Sequence, residues 1–151
     1  MLPTHFSSVQ RQNGHIFVVG GMVSEVFAKT VYEIDGNMNL IERAPMSRGR
    51  TNTALNLISD RFIFAIGGYN GRNIPSDYVE CYDIQTNIWH MLQPLNRPRS
   101  GTTACSVGNR YIYVFPGIQK ETWNTIEFLD LGLFGQNPDP RNFKNSKWSI
   151  L

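Results

Sequence analysis

The chain has 151 residues, of which 41% are hydrophobic and 12% aromatic, so it can bury a sizeable core and does not have the composition of a disordered chain. The 14 basic and 12 acidic residues leave a net charge of +2 and are scattered without runs, which argues against a protein that binds nucleic acid or a membrane surface. Cys81 and Cys105 fall inside predicted strands, no asparagine opens a glycosylation sequon, and no apolar run reaches the roughly 18 residues of a membrane span, so a cytoplasmic protein is expected.

The first predicted period covers residues 1–45. Asn13-Gly14 predicts a type I′ hairpin turn, and the apolar run that follows it ends at Gly20-Gly21. Four antiparallel strands are expected, and the first of them is already running where the chain starts. The three strands after the turn are predicted at 16–19, 30–35 and 38–43, with a loop over 22–29.

The second predicted period, residues 46–94, has the same order of elements. Its second strand again ends in a double glycine, Gly67-Gly68, and a loop over 69–76 leads to the third strand. The four strands are predicted at 51–57, 61–66, 77–84 and 88–92, with the first turn at Ser59-Asp60.

The third predicted period, residues 95–151, follows the second at an offset of 49 as far as Gly117 and then at an offset of 47. It departs after Asp130, because Trp148 follows 18 residues later, whereas Trp89 follows Asp83 by 6. The insertion, 132–147, is rich in Gly, Asn and Pro. We expect it to be a surface loop with little structure of its own, and the first site of limited proteolysis.

Spacings of 47 and 49 residues indicate a repeat architecture, and the residues that recur resemble the kelch repeat. That motif combines an arginine before the first strand, a double glycine after the second, Tyr-Asp at the end of the third and a tryptophan six residues later. The second period carries all of them: Arg50, Gly67, Gly68, Tyr82, Asp83 and Trp89. The first period has Ile34 and Ile41 in place of the two aromatic residues, and the third has Pro116 and Leu129 at motif positions.

The resemblance implies an all-β fold in which each period is one four-stranded antiparallel blade of a kelch-type β-propeller. Propellers have about 4 to 8 blades, so three blades make an incomplete one. The chain is therefore expected either to belong to a longer propeller or to pair with another copy that supplies the missing blades.

The glycines and tryptophans of the motif are expected to be structural. Gly67-Gly68 follows a strand as a phosphate loop would, but a further strand comes next rather than the helix that such a loop opens. Gly20, Gly21, Gly67, Gly68 and Gly117 are instead expected to allow positive φ or close contact between blades. Trp89 and Trp148 are expected in the core, Trp89 between the strands of its own blade, and both cysteines are expected to be buried, inert thiols.

The four periodic arginines divide into two pairs. Arg50 and Arg99 are expected to hydrogen-bond backbone groups between blades. Arg48 and Arg97, nearer the loops, are expected to contact a partner, because arginine suits bidentate recognition of carboxylates. The kelch resemblance implies that partner proteins bind to the loops of one face, which adds Tyr69, Asn70 and Arg72 to the candidate contacts.

The function expected from the resemblance is that of a non-enzymatic protein-interaction module, a scaffold or adaptor such as a substrate receptor of a ubiquitin ligase. The alternative is an enzyme or sugar-binding propeller of the galactose oxidase or sialate epimerase type. No catalytic residue, metal ligand or cofactor is predicted, since His5, His15 and His90 lack the spacing of a metal site.

Overall fold

The computed structural model describes residues 3–71, 74–132 and 139–151. Within these ranges the chain forms three four-stranded antiparallel sheets and one two-stranded hairpin, with little helix. In each four-stranded sheet the strands lie side by side in the order in which they occur along the chain, as in a propeller blade. The predicted all-β fold of kelch-type blades is confirmed.

The strands of the three blades are short, as expected for a propeller. The first blade contains β1 (Ser7–Gln10), β2 (Ile16–Val19), β5 (Val31–Ile34) and β6 (Leu40–Arg43). The second contains β7 (Ala54–Ile58), β8 (Phe62–Ile66), β9 (Val79–Asp83) and β10 (Ile88–Met91). The third contains β11 (Ala104–Val107), β12 (Tyr111–Val114), β13 (Glu127–Asp130) and β14 (Trp148–Ile150).

The core lies in the two layers between successive blades. Because side chains alternate across a strand, each blade sends one set of residues to the preceding blade and the other set to the following one. In β8, Ile63 and Ala65 face the first blade, whereas Phe62 and Phe64 face the third. All five residues of β8 are therefore buried, and so are all five of β9.

One surface of the third blade is only partly covered. Ile112 and Val114 pack towards the second blade, so the residues that alternate with them point the other way. Three of these form a row of aromatic rings, with centroid distances of 6.4 Å and 5.9 Å: Tyr111, Tyr113 and Phe128. We call this surface the aromatic face.

Two local predictions were wrong. The loop expected over 22–29 contains a short hairpin, β3 (Met22–Val23) paired with β4 (Val26–Phe27). The type I′ geometry expected at Asn13-Gly14 is instead found at Ser59-Asp60, where φ is +53° and +52°. At the first turn only Gly14 has positive φ, and its N–H donates to the carbonyl of Arg11, so the loop is one residue longer than a type I′ hairpin.

The insertion was also predicted wrongly where the structure describes it. Residues 133–138 lie outside the described ranges, but a short helix, α1 (Pro140–Phe143), follows them, with Asp139 capping its first turn. Phe143 is fully buried and packs between the rings of Phe62 and Phe64, with centroid distances of 5.4 Å and 5.5 Å. The described part of the insertion is therefore anchored to the core by Phe143 and has a short helix, so it is not a loop without structure of its own.

Candidate functional site

The site is built on two loops that precede the first strands of the second and third blades. They comprise residues 46–50 and 95–99, and they lie beside the loops that follow the second strand of each blade, at 22–27, 69–71 with 74–76, and 117–125. We call the surface formed by these segments the loop face. Each of the two loops ends in a buried arginine and exposes another arginine two residues earlier.

Arg50 joins the first blade to the second. Its backbone N–H donates to the carbonyl of Ala28 (3.1 Å), and its carbonyl accepts from Gly21 (2.8 Å). Its guanidinium is completely buried and donates to four groups of the second blade: the carbonyl oxygens of Gly67 (3.2 Å) and Tyr78 (2.8 Å), Oε1 of Glu80 (3.0 Å) and Sδ of Met46 (3.6 Å). Burial lowers the pKa of Arg50, against the attraction of the Glu80 carboxylate.

Arg99 repeats this arrangement between the second and third blades. Its backbone N–H donates to the carbonyl of Ser76 (3.0 Å), and its carbonyl accepts from Gly68 (2.7 Å). The buried guanidinium donates to four acceptors of the third blade: the carbonyl oxygens of Phe115 (3.1 Å) and Thr125 (2.7 Å), Oγ1 of Thr125 (3.0 Å) and Oε1 of Glu127 (2.9 Å).

The double glycines leave room for these arginine backbones. A Cβ added to Gly20 or Gly67 would lie 2.5 Å from the carbonyl oxygen of Arg50 or Arg99, respectively. A Cβ on Gly117 would clash with the carbonyl oxygen of Ser100. Gly20 and Gly67 therefore lie where a loop of the following blade comes close to the backbone. Gly117 lies where a segment of its own blade does so.

Arg48 and Arg97, the two arginines predicted to contact a partner, are both exposed on the loop face. The Arg48 guanidinium lies 4.2 Å from the ring centroid of Tyr78 and donates to the hydroxyl of that residue. Arg97 donates to the carbonyl oxygen of Glu121. A cation held over an aromatic ring or by a carbonyl loses less conformational freedom when it binds a carboxylate than a mobile one would.

Two successive grooves run between the loops, one at each blade junction, and each contains one of these arginines. The first is lined by Glu25, Val26, Phe27, Arg48, Asn70 and Ile74 among others. The second is lined by Ile74, Pro75, Arg97, Pro98, Gln119 and Glu121 among others. Ile74 lines both grooves and is 51% exposed.

The other predicted contact residues are distributed unevenly. Asn70 lines the first groove. Tyr69 is half-buried and pairs through its backbone with Thr51, so it supports the loop more than it projects from it. Arg72 lies outside the described residues.

Tyr82 and Asp83, two further motif residues, make structural hydrogen bonds within the second blade. Tyr82 is buried and its hydroxyl donates to Asn87. Although burial pulls the pKa of Asp83 upward, hydrogen bonds from Arg61 hold it below its usual range.

The tryptophans differ from the prediction in one respect. Trp148 is buried, but Trp89 is only half-buried and packs against Tyr82, with the ring centroids 5.0 Å apart and the ring planes tilted by 31°. Both indole N–H groups donate to the preceding blade, at the carbonyl oxygens of Ala44 (2.8 Å) and Gln93 (3.2 Å). Trp89 was thus wrongly predicted to be buried within its own blade, because it lies at a junction.

The cysteines also differ from the prediction of two buried thiols. Cys81 is buried, and burial raises the pKa of its thiol. Cys105 is exposed, because it lies opposite Tyr113 on the same side of the third blade as the aromatic face. In the part of the chain that the structure describes, no group of three or more His, Cys, Asp or Glu side chains is placed to hold a metal ion.

Four residues of this site were missed by the sequence reasoning: Tyr78, Ile74, Glu80 and Glu127. The two glutamates could have been found, because their separation of 47 equals the offset that relates the third strands of the two blades. Tyr78 and Ile74 have no periodic counterpart that would have singled them out. Among the described helices, none is long and apolar enough to cross a membrane.

Comparison with known proteins adds a family assignment to this geometry. The Kelch motif matches residues 59–96. Kelch repeat and BTB domain-containing protein 2 of cowpox virus is 30% identical over 138 residues, which are 86% of this chain and 24% of the viral protein.

Two further relatives are a putative F-box/kelch-repeat protein of Arabidopsis thaliana, 35% identical over 58% of this chain, and Kelch-like protein 7 of the rat, 40% identical over 52% of it. The chain spans 24% and 13% of those two proteins, respectively.

Proposed function

Because this chain is a kelch-repeat protein, we propose that it acts as a non-enzymatic protein-interaction module that binds a segment of a partner protein along its loop face. The observation that carries the proposal is the pair of adjacent grooves, each with an exposed arginine at the same position of the repeat. A repeated groove suits an extended polypeptide, which can lie across both junctions.

The apolar residues of the loop face support this role. Four large apolar side chains on its loops are more than half exposed, at 68%, 51%, 60% and 56%: Val26, Ile74, Ile118 and Trp123. Exposed apolar side chains that cluster next to arginines are typical of protein interfaces, where aromatic residues and arginine are enriched. The partner segment is therefore expected to combine an acidic residue for Arg48 or Arg97 with an apolar side chain nearby.

The names of two relatives state which other domains accompany their kelch repeats. One relative is described as containing a BTB domain and another as an F-box protein, each together with kelch repeats. By analogy with them, we propose an adaptor role in the cytoplasm, including that of a ubiquitin-ligase substrate receptor, with further blades of a longer chain or a second copy completing the ring.

Peptide selection followed by a titration tests the proposal. Peptides from a random display library would be selected on the immobilised chain, and their affinities measured by fluorescence anisotropy. Arg48→Ala and Arg97→Ala are each expected to weaken binding about tenfold, the loss of one charge-assisted contact. The matched control is Arg141→Ala, which removes an equally charged arginine that is 79% exposed at its side chain and lies on α1, away from the grooves.

Two results would contradict this function. One is a set of selected peptides that bind Arg48→Ala and Arg97→Ala as tightly as Arg141→Ala, because binding would then occur elsewhere. The other is enrichment of peptides without acidic or apolar residues, since the arginines and apolar side chains of the grooves would then not determine which peptides bind.

A further inference from the structure

Two buried carboxylates lie directly beneath the loops that expose Arg48 and Arg97. Glu80 is 1% exposed, and its two oxygens have different partners. Oε1 accepts from the Arg50 guanidinium (3.0 Å), and Oε2 accepts from the backbone N–H of Ser47 (3.0 Å). One carboxylate thus joins the buried arginine to the backbone next to the exposed one.

Glu127 has the same relation to the loop of the third blade. It is 0% exposed, and its Oε1 accepts from Arg99 (2.9 Å) and from the backbone N–H of Arg97 (3.1 Å). Its Oε2 accepts from the backbone N–H of Asn96 (2.7 Å) and from the amide group of that side chain (2.9 Å). Two different blades therefore tie their loops to a buried carboxylate.

The far end of each loop is fixed as well. Arg50 and Arg99 are bonded through their backbone to the preceding blade, at Gly21 and Gly68. The carboxylate fixes the near end, so that the exposed arginine stands between two anchors only a few residues apart. Such a loop loses little conformational freedom on binding, which favours affinity.

Glu80 could neutralise the charge of Arg50 without also accepting a hydrogen bond from the backbone of Ser47. A carboxylate that only balanced the charge of Arg50 could aim both oxygens at the guanidinium, which is the usual bidentate geometry. Glu80 instead gives its second oxygen to a backbone N–H that is otherwise at the surface, since Ser47 is exposed.

We infer that Glu80 and Glu127 are positioning residues for partner binding, which hold the backbones of the two loops so that Arg48 and Arg97 are presented in fixed places. The inference rests on the proposed function for the role of the two arginines. The anchoring of the loops is independent of that function and can be measured without a partner.

The experiment uses Glu80→Gln and Glu127→Gln, with Glu33→Gln as the matched control. Glu33 is also a buried carboxylate paired with an arginine, Arg43, but it belongs to the first blade and is bonded to side chains, those of His15 and Arg43. Amide hydrogen exchange, measured by NMR, is the partner-free readout. Glu80→Gln is expected to speed exchange at Ser47 at least tenfold, well beyond any change at the amides of β8.

The expected pattern is reciprocal between the two blades. Glu127→Gln should speed exchange at Asn96 and Arg97 and leave Ser47 unchanged, and Glu33→Gln should affect neither loop. An unchanged rate at Ser47 in Glu80→Gln, or a rise shared equally with the β8 amides, would overturn the inference, because Glu80 would then be a structural residue only.

Affinity for the selected peptides separates this inference from the proposed function. With the folded fraction held equal, Glu80→Gln and Glu127→Gln are expected to weaken binding about tenfold and Glu33→Gln not at all. If Ser47 loosens but affinity is unchanged while Arg48→Ala does weaken binding, the positioning role is wrong. If Arg48→Ala itself has no effect, the proposed function fails and the loop anchoring stands on the exchange data.

Should Glu80→Gln not fold, Glu80→Asp keeps the charge beside Arg50 but shortens the side chain by one methylene. In Glu80→Asp the exchange rate at Ser47 is also expected to rise locally, but by less than in Glu80→Gln. An unaltered Ser47 rate in a folded Glu80→Asp chain would overturn the inference in the same way.

Discussion

The burial of Phe143 allows a stringent test of how the insertion packs. Phe143→Ala removes a side chain that is 0% exposed and that contacts Phe62 edge-to-face and Phe64 at a tilt. Replacing a buried phenylalanine by alanine costs about 3 to 5 kcal/mol, because it leaves a cavity as well as losing apolar burial. We expect about 4 kcal/mol, a large share of the roughly 5 to 15 kcal/mol by which a domain of this size is stable.

The control for this variant is Phe6→Ala, because Phe6 is 43% exposed and its removal is expected to cost only about 1 kcal/mol. Urea unfolding followed by circular dichroism gives the free energy of unfolding of both variants. In parallel, trypsin should cut at Arg141 and Lys144 faster in Phe143→Ala than in the parent chain, since the helix loses its anchor. A loss no larger than that of Phe6→Ala would mean that α1 is not part of the core.

Three further predictions concern the two tryptophans of the motif, an ion pair within the third blade and the aromatic face. Trp148→Ala should cost about 3 to 5 kcal/mol in a urea titration and Trp89→Ala clearly less, because only Trp148 is buried; equal losses would contradict this. The hydrogen bond from Arg110 lowers the pKa of Asp130 to about 2, so the stability due to this pair is present above pH 3.8 and is lost as the pH falls through about 2. An NMR titration should show the Asp130 midpoint near 2, moving towards 3.8 in Arg110→Gln. Finally, the isolated 151-residue chain should dimerise, or aggregate and bind a hydrophobic dye, because its aromatic face is partly exposed; light scattering that shows a stable, dye-negative monomer would refute this.

The blades could be predicted from the sequence because each repeats the same local pattern. The apolar run of β8 ends at Gly67-Gly68, and the same order of turn, run and glycine recurs in all three periods. A repeated pattern can be checked against itself, so the assignment of strands does not depend on any single propensity.

The errors arose where a residue depends on something that does not repeat. Phe143 lies in an insertion without a counterpart in the other periods, so its composition suggested a loop although one aromatic ring reaches the core. Trp89 and Cys105 occupy ordinary strand positions, but their exposure is set by what the neighbouring blade covers. The sequence around a residue does not show whether a neighbouring blade will bury its side chain.

The buried pair of Arg50 and Glu80 leads to a last prediction that separates folding from loop anchoring. A buried ion pair is weak grounds for stability, because the desolvation of two charges offsets their attraction. Glu80→Leu alone should cost about 3 to 5 kcal/mol, since it leaves the arginine charged and unpaired in the interior.

The double variant Arg50→Met/Glu80→Leu should recover much of that loss, because no buried charge then remains and the two changes are strongly coupled. Its Ser47 amide should nevertheless exchange as fast as in Glu80→Leu, since the acceptor at 3.0 Å has gone in both. Urea unfolding and amide exchange, measured on the parent chain, on Glu80→Leu and on the double variant, would test this. A double variant that regained both stability and slow exchange at Ser47 would show that packing, and not the carboxylate, fixes the loop that presents Arg48.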